Sequence, residues 1–393
     1  MVIDFVHRRT IILGAVVLLA GLFATIYYKK ANSSAESAAM YDSHGLKNEQ
    51  AMFSIQSDKI TTLYGTFPVK ERVILDVIQS AAFQRIRHIH QYGVMRWIRN
   101  VPEYSRYSHC LGVWAILRRF NAPLNEQIAG LLHDVSHTVF SHLGDHIFNH
   151  NSQKNSYQDD IHEWFLRKYS IDKVLAVYGI ELRDVLHKSE SYRMLEQDLP
   201  DLCADRIEYN LRGGLMVGLL TEKDIEEILS AMRFQDGRWF FVEQAAAVKF
   251  AKVPLFLTVN EWGSPANYVV YSLVAKAIRR ALELQVVTFD EVHFSTDDLI
   301  WERLTNATDP AIRNFMDKAW RYKELYTLVE DAKKADKVLP TKFRGVNPWV
   351  YLAGEHKRLT EIDSVFAVEY EKVREQVSKG WAVKFASGFE VII

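Results

Sequence analysis

Cysteine is nearly missing from this chain: Cys110 and Cys203 are the only two in 393 residues. That excludes a multi-disulfide framework and a thiolate zinc site, both of which need more sulfur at tight spacing. The two are expected to be small, buried, apolar residues. Charge of one sign is lacking too. With 48 Lys and Arg against 49 Asp and Glu, no global basic field signals a nucleic-acid partner, so any polyanion needs a local patch. Repeats and low-complexity blocks do not occur, which excludes repeat architectures. Long hydrophobic runs are confined to residues 10–28, a stretch of 19 residues without a formal charge. The composition as a whole, 48% hydrophobic, 12% aromatic and 25% charged, is too apolar for disorder and too polar for a multi-span membrane protein.

As a helix, residues 10–28 would span roughly 28 Å, enough to cross a hydrocarbon core. Arg8 and Arg9 precede the run, Lys29 and Lys30 follow it, and Tyr27 and Tyr28 stand where interfacial aromatics belong. The expectation is a single N-terminal membrane anchor over residues 1–30. The alternative is a signal segment, for which Ser37-Ala38-Ala39 offers small residues, giving a secreted or periplasmic protein. Residues 31–52 are small, polar and aperiodic and read as a linker.

The remainder predicts a mainly α fold with a few short strands. Apolar residues at helical spacing predict helices over 71–91, 109–120, 160–168, 199–211, 221–232, 268–285 and 310–335, and another that starts after Pro123 with Asn125 as cap and runs through Val135. Residues 238–242 and 381–393, the latter with Gly388 between apolar runs, are the best hairpin candidates. Trp301, Trp320 and Trp349 are expected to complete a core or an oligomer interface.

The densest chemistry lies between His109 and Asp205. His133 and Asp134 are adjacent in an apolar stretch, and burying such a pair is costly unless both are partnered or bind a metal. His137 follows one helical turn later, then His142, Asp145, His146 and His150, so this segment holds five of the chain's 14 histidines. An adjacent His-Asp pair is by itself a weak signal, and His109 and Asp205 strengthen it. Local charge points the same way: residues 70–119 carry nine Lys or Arg against Glu71, Asp76 and Glu103, either a solvated face or an anion-binding wall.

Taken in order, residues 83–93 (FQRIRHIHQYG), Arg106 to Gly112, His133-Asp134-Val135-Ser136-His137 through His142, His162-Glu163 and Asp205-Arg206-Ile207-Glu208-Tyr209 resemble the HD phosphohydrolase superfamily. Within it they most resemble the deoxynucleoside triphosphate triphosphohydrolases, over about residues 55–235. The resemblance implies a helical HD-domain fold and one divalent metal ion (Mn, Fe, Zn or Mg) held by His109, His133, Asp134 and Asp205. It implies His142 and His162, with Asp145, as the acid/base or nucleophilic groups, and His137 and Arg106 as holders of phosphate oxygens. Gln84 and Tyr209 would face the sugar or base, with Arg206 also on the substrate. Asp297-Asp298-Leu299 resembles the family's C-terminal part loosely.

Two departures stand out. The family's Asp-x-x-His-Gly stretch is here Thr61-Thr62-Leu63-Tyr64-Gly65, and its Arg, His and Tyr triphosphate anchors fall on Lys252, Phe256 and Asn260. The resulting expectation is an HD catalytic domain over 53–235 and a C-terminal helical region with a β-hairpin over 236–393, packed on it. Its activity would be a metal-dependent hydrolysis of deoxynucleoside triphosphates, with another phosphorylated substrate or a nucleotide-binding regulator as alternatives. A homo-oligomer is expected as well.

Overall fold

Arg106 to Leu117, twelve consecutive residues of the helix Arg106–Arg119, are all buried, so this helix runs through the middle of the molecule. The computed structural model describes residues 52–99, 101–148, 156–188, 191–387 and 389, all within the unit Lys47–Ile393. The expected anchor at 1–30 and the linker up to residue 51 lie outside the described residues. Among those described, no helix is long and apolar enough to cross a membrane.

The central helix starts where it does because Ser105 is extended and its side chain accepts from the Ser108 N–H, satisfying one of the donors a helix start leaves open. Trp114, Ile116 and Leu117 on it are fully buried, each apolar side chain contributing about 1.5–3 kcal/mol over an exposed one. The helices Leu124–Leu132 and Ala204–Met216 pack against it. Gly112 permits the second contact: a Cβ there would lie 2.5 Å from Glu208 Oε1 and 2.8 Å from the Tyr64 ring.

Several predicted boundaries move, for local reasons. The helix expected over 71–91 breaks at Ser80, which is extended and caps a second helix, Ala81–Arg85, by accepting from Phe83 N. A 3-10 turn, Ile86–His88, follows, and His90 bridges to Ser105, so residues 89–93 are a strap and not helix. The helix after Pro123 has Pro123 itself at its N-cap and ends at Leu132; Asn125 lies inside it, and His133 to Ser136 form turns. The helix expected from 199 begins only at Ala204, after an extended Cys203, and continues to Met216. The 310–335 pattern ends at Trp320, because Tyr326–Leu328 is drawn into a sheet.

That sheet has Trp381–Phe385 as its central strand, between Tyr326–Leu328 and Lys337–Leu339, both antiparallel. The hairpin expected over 381–393 is therefore not how Trp381–Phe385 is paired; its partners lie 42 to 59 residues upstream. Arg238–Phe241 is a strand as expected, in a hairpin with Met232–Gln235, and its other edge pairs in parallel with Trp349–Leu352. Of the tryptophans, Trp301 stacks on Trp97 at 5.1 Å and Trp349 lies under the Arg358 guanidinium at 3.9 Å, whereas Trp320 is half exposed.

Candidate metal centre and adjoining cleft

Helix start, helix end and a distant helix bring four side chains to one point. His109 sits in the first turn of Arg106–Arg119, His133 at the C-cap of Leu124–Leu132 with Asp134 next to it, and Asp205 in the first turn of Ala204–Met216. His109 Nε2 is 3.2 Å from His133 Nε2, 2.9 Å from Asp205 Oδ1 and 3.5 Å from Asp134 Oδ2. His133 Nε2 is 3.5 Å from Asp134 Oδ2 and 3.6 Å from Asp205 Oδ1. Ligands bonded at about 2.1 Å to one ion sit roughly 3–3.5 Å apart, so these spacings suit a shared divalent cation.

The tautomers support that fit. His109 Nδ1 donates to Glu208 Oε2 at 2.5 Å and His133 Nδ1 donates to the Gly130 carbonyl at 2.8 Å. Each imidazole therefore turns an Nε2 lone pair toward the other, an arrangement that repels unless a cation or a proton lies between them. The charge balance shows the same demand. Burial lowers the His109 imidazole, but Glu208 and Asp205 outweigh it and lift it to about 10. His133 is also raised, Asp134 overcoming its burial. Two imidazoles and two carboxylates form a mixed N/O set suited to a borderline ion such as Mn, Fe or Zn.

Glu208 is the residue that sequence reading passed over. It is fully buried and accepts from Tyr64 Oη at 2.8 Å, from Tyr104 Oη and from His109. Tyr64, standing in the family's histidine position, is thus part of the layer that orients a ligand. Spacing offered a signal: Asp205, Glu208 and Arg212 recur on one helical face. Glu196, pushed up to about 7 by burial and by Asp205, is a second unassigned carboxyl beside the cluster.

Arg106 forms an ion pair with Asp134 through Oδ2, the same oxygen that faces the two imidazoles, and His137 Nε2 lies 3.2 Å from Oδ1. Arg106 also donates to Ser141 Oγ at 3.0 Å, leaving Nη2 buried without a partner. Burial and the Arg106 charge lower His137 to about 3, so it is a neutral imidazole near pH 7. The ring of His137 lies 4.9 Å from that of His142, which reaches the open.

His142 and Asp145 line a cleft of about 310 Å³, with His142 Nδ1 3.8 Å from Asp145 Oδ2. The cleft walls are aromatic: Tyr92, Tyr104, Tyr209, Trp262, Tyr268 and Tyr271. Tyr104 joins the two regions, since its hydroxyl reaches Glu208 behind His109.

Several expected substrate residues are elsewhere. Gln84 Nε2 donates to the Ile78 carbonyl at 2.6 Å and its Oε1 accepts from Arg87. Gln91, seven residues on, lines the cleft with a buried Oε1 that has no partner. The break at Ser80 and the irregular, turn-forming strap over 89–93, invisible in the periodicity, put Gln91 there. Gly93 belongs to this strap; its φ is +50° and a Cβ would lie 2.4 Å from the Phe140 carbonyl. Lys252 is on another surface, paired with Glu369 at 3.3 Å, and Asn260 Nδ2 donates to the Phe256 carbonyl. Arg206 donates to the Asp201 and Gln197 carbonyls and is tied to its own loop. His162 does not line the cleft; its Nδ1 meets Ser136 Oγ at 2.8 Å and its Nε2 is buried without a partner. Tyr209 does line it, its ring edge-on to Trp262 at 5.5 Å. Both cysteines are free and buried.

The comparisons with known proteins agree with this geometry. A family model described as HD domain matches residues 106–198. The chain is similar to the metal-dependent phosphohydrolase cns2 of Cordyceps militaris, 29% identical over 289 residues, 72% of this chain and 81% of that protein. A shorter stretch is similar to the deoxynucleoside triphosphate triphosphohydrolase SAMHD1 of Danio rerio, 33% identical over 91 residues, 19% of this chain and 15% of that protein. In fold it is similar to a phosphohydrolase from Bacteroides thetaiotaomicron, with a TM-score of 0.62 at 14% identity, covering 85% of this chain and 99% of that one. His109, His133 and Asp134 lie inside the matched segment and Asp205 beside them in space, so residues 106–198 match an HD domain in a chain similar to metal-dependent phosphohydrolases, and the side chains of that segment form a group that could hold a metal ion.

Proposed function

We infer that the protein hydrolyses a nucleoside phosphate, and that its leading activity is cleavage of a deoxynucleoside triphosphate to deoxynucleoside and triphosphate. The observation that carries this reading is the aromatic cleft opening beside the four-donor cluster, with His142 and Asp145 on its wall. Aromatic faces suit a nucleobase, and Gln91 and Asn267 supply amides in the same cleft. The stretch of similarity to SAMHD1 supports the same substrate class.

In this mechanism water attacks the α-phosphorus, the bond from phosphorus to O5′ breaks, and O5′ leaves with a proton. A divalent ion held by His109, His133, Asp134 and Asp205 would polarise a phosphoryl oxygen and offset its developing charge. Arg106 Nη2, without a protein partner, is a donor for a phosphoryl oxygen, and neutral His137 stands behind Asp134. His142, with Asp145 to orient it, moves the proton at the cleft side. His162 serves from behind, its free Nε2 being the one polar atom it has left to offer.

The displacement of Lys252 and Asn260 from the cleft favours a second reading, in which the same centre acts on another phosphorylated substrate. Incubating the purified protein with a panel of nucleotides and phosphodiesters, with product identification, separates the two. A folded, metal-loaded protein that binds nucleotides but releases no product would leave the regulator reading. The same proposal keeps residues 1–30 as a single-pass anchor, or a cleaved signal segment, and the protein as a homo-oligomer; membrane fractionation, N-terminal sequencing of the mature protein and light scattering test these.

A further inference from the structure

The cleft has a cationic wall that the family's anchor positions do not supply. Lys342 and Arg344 line it together with His142 and Tyr209. Both lie on the segment between the strands Lys337–Leu339 and Trp349–Leu352. This segment is braced along its length. Thr341 Oγ1 donates to the Gly263 carbonyl at 3.0 Å, the Phe343 ring packs edge-on to Tyr370 at 5.2 Å, and Asn347 N donates to the Pro200 carbonyl at 3.1 Å. Gly345 is needed here, since a Cβ would fall 2.2 Å from the Phe343 ring.

Several cations elsewhere in the molecule have an acidic partner: Arg119 pairs with Glu226, Lys249 with Asp224, Lys252 with Glu369 and Lys188 with Asp159. Lys342 and Arg344 have neither an ion pair nor a hydrogen bond among the described residues. Burial and the charges of Arg344, Arg206 and Lys188 hold the Lys342 ammonium below its ordinary range, with Asp159 opposing. Cations that crowd one another on a braced backbone at the wall of a cleft are arranged for an anion.

We propose that Lys342 and Arg344 form a clamp for the polyphosphate chain of the substrate, taking the part that Lys252, Phe256 and Asn260 do not play. The proposal rests on the nucleoside-phosphate reading of the cleft and sharpens it to a polyphosphorylated substrate. Arg344 offers a planar fork for two phosphate oxygens, and Lys342 a point charge beside it. The clamp thereby favours a triphosphate over a monophosphate.

The test uses the full chain and two kinds of readout. Calorimetry with inorganic tripolyphosphate should show binding to the wild type. Lys342→Ala and Arg344→Ala should each weaken it roughly tenfold or more, and the double variant roughly 100-fold, with Arg344→Lys recovering only part. Binding of orthophosphate should change little, and KM for a deoxynucleoside triphosphate should rise more than kcat falls. Melting temperature checks that the variants are folded; Lys342→Gln and Arg344→Gln, which keep part of the stem, replace any that are not. Wild-type tripolyphosphate affinity in the folded double variant, or no tripolyphosphate binding by the wild type, overturns the clamp. The two readings fail separately: a wild type that binds tripolyphosphate through these residues but turns over no nucleotide sinks the proposed function and leaves the clamp standing.

Discussion

Nearly every polar atom of the donor cluster is pinned by another protein atom, whereas along the cleft several have no partner at all. His109 is held from behind by Glu208, His133 by the Gly130 carbonyl, and Asp134 by Arg106 and His137. In the cleft, Gln91 Oε1 is buried and unpartnered, and Lys342 and Arg344 are in no ion pair among the described residues. The difference teaches how to read such a molecule. A resident ion needs ligands oriented before it arrives, so its site is a closed network. A substrate comes and goes, so its site keeps open valences that cost stability and are repaid on binding.

Substitutions should break this contrast in a graded way. The largest effect belongs to Asp134→Ala, which removes a donor and leaves Arg106 buried without its carboxylate. It should abolish both turnover and bound metal and cost roughly 3–5 kcal/mol of stability, read by product assay, elemental analysis and denaturant titration on one preparation. Next comes His142→Ala. As a half-exposed cleft residue it should lose about 10²- to 10⁴-fold in turnover while keeping metal content and melting temperature; a drop in melting temperature with turnover intact would make it a structural residue. Glu208→Gln should weaken metal affinity by roughly 10- to 100-fold, measured by chelator competition, because a neutral amide no longer fixes the His109 tautomer.

The smallest effect is a pH dependence away from both regions. Asp297 accepts from Phe140 N at 2.6 Å and His90 N at 2.8 Å, tying the turn after His137 to the strap that carries Gln91. Burial pushes its carboxyl up to about 7 against the pull of those two bonds and of Arg85. A carboxyl near 7 when folded and about 3.9 when unfolded binds its proton more tightly in the folded state. Its contribution to stability is therefore full below about pH 4 and is lost as pH rises toward 7. The stability of the wild type relative to Asp297→Asn should be greater at pH 5 than at pH 8; equal differences at both would remove Asp297 from this role.

The parts of this design that were legible in the sequence are those carried by adjacent or ordered residues. His133-Asp134, with His109 before and Asp205 after, pointed to one site because buried His and Asp need partners, and the structure brings these four together. Helical periodicity located most helices, since a buried face writes itself at i, i+3 and i+4. What was illegible depends on breaks and long-range pairing. Gln84 and Gln91 are indistinguishable by composition; only the extended backbone at Ser80 and the strap after it decide which one enters the cleft. Tyr326–Leu328 reads as a continued helix because its strand partner, Trp381–Phe385, lies far along the chain. Lys342 and Arg344 stand more than 130 residues from Asp205 by their own numbering, so nothing local marks them as neighbours of Tyr209.

The most direct test of the four-donor centre is elemental analysis of the purified full-length protein beside His109→Ala, His133→Ala, Asp134→Ala and Asp205→Ala, each checked for folding by circular dichroism. The geometry predicts close to one divalent transition-metal ion per wild-type chain and its loss from every folded variant. Metal retained at the wild-type level in folded His133→Ala or Asp134→Ala would contradict it.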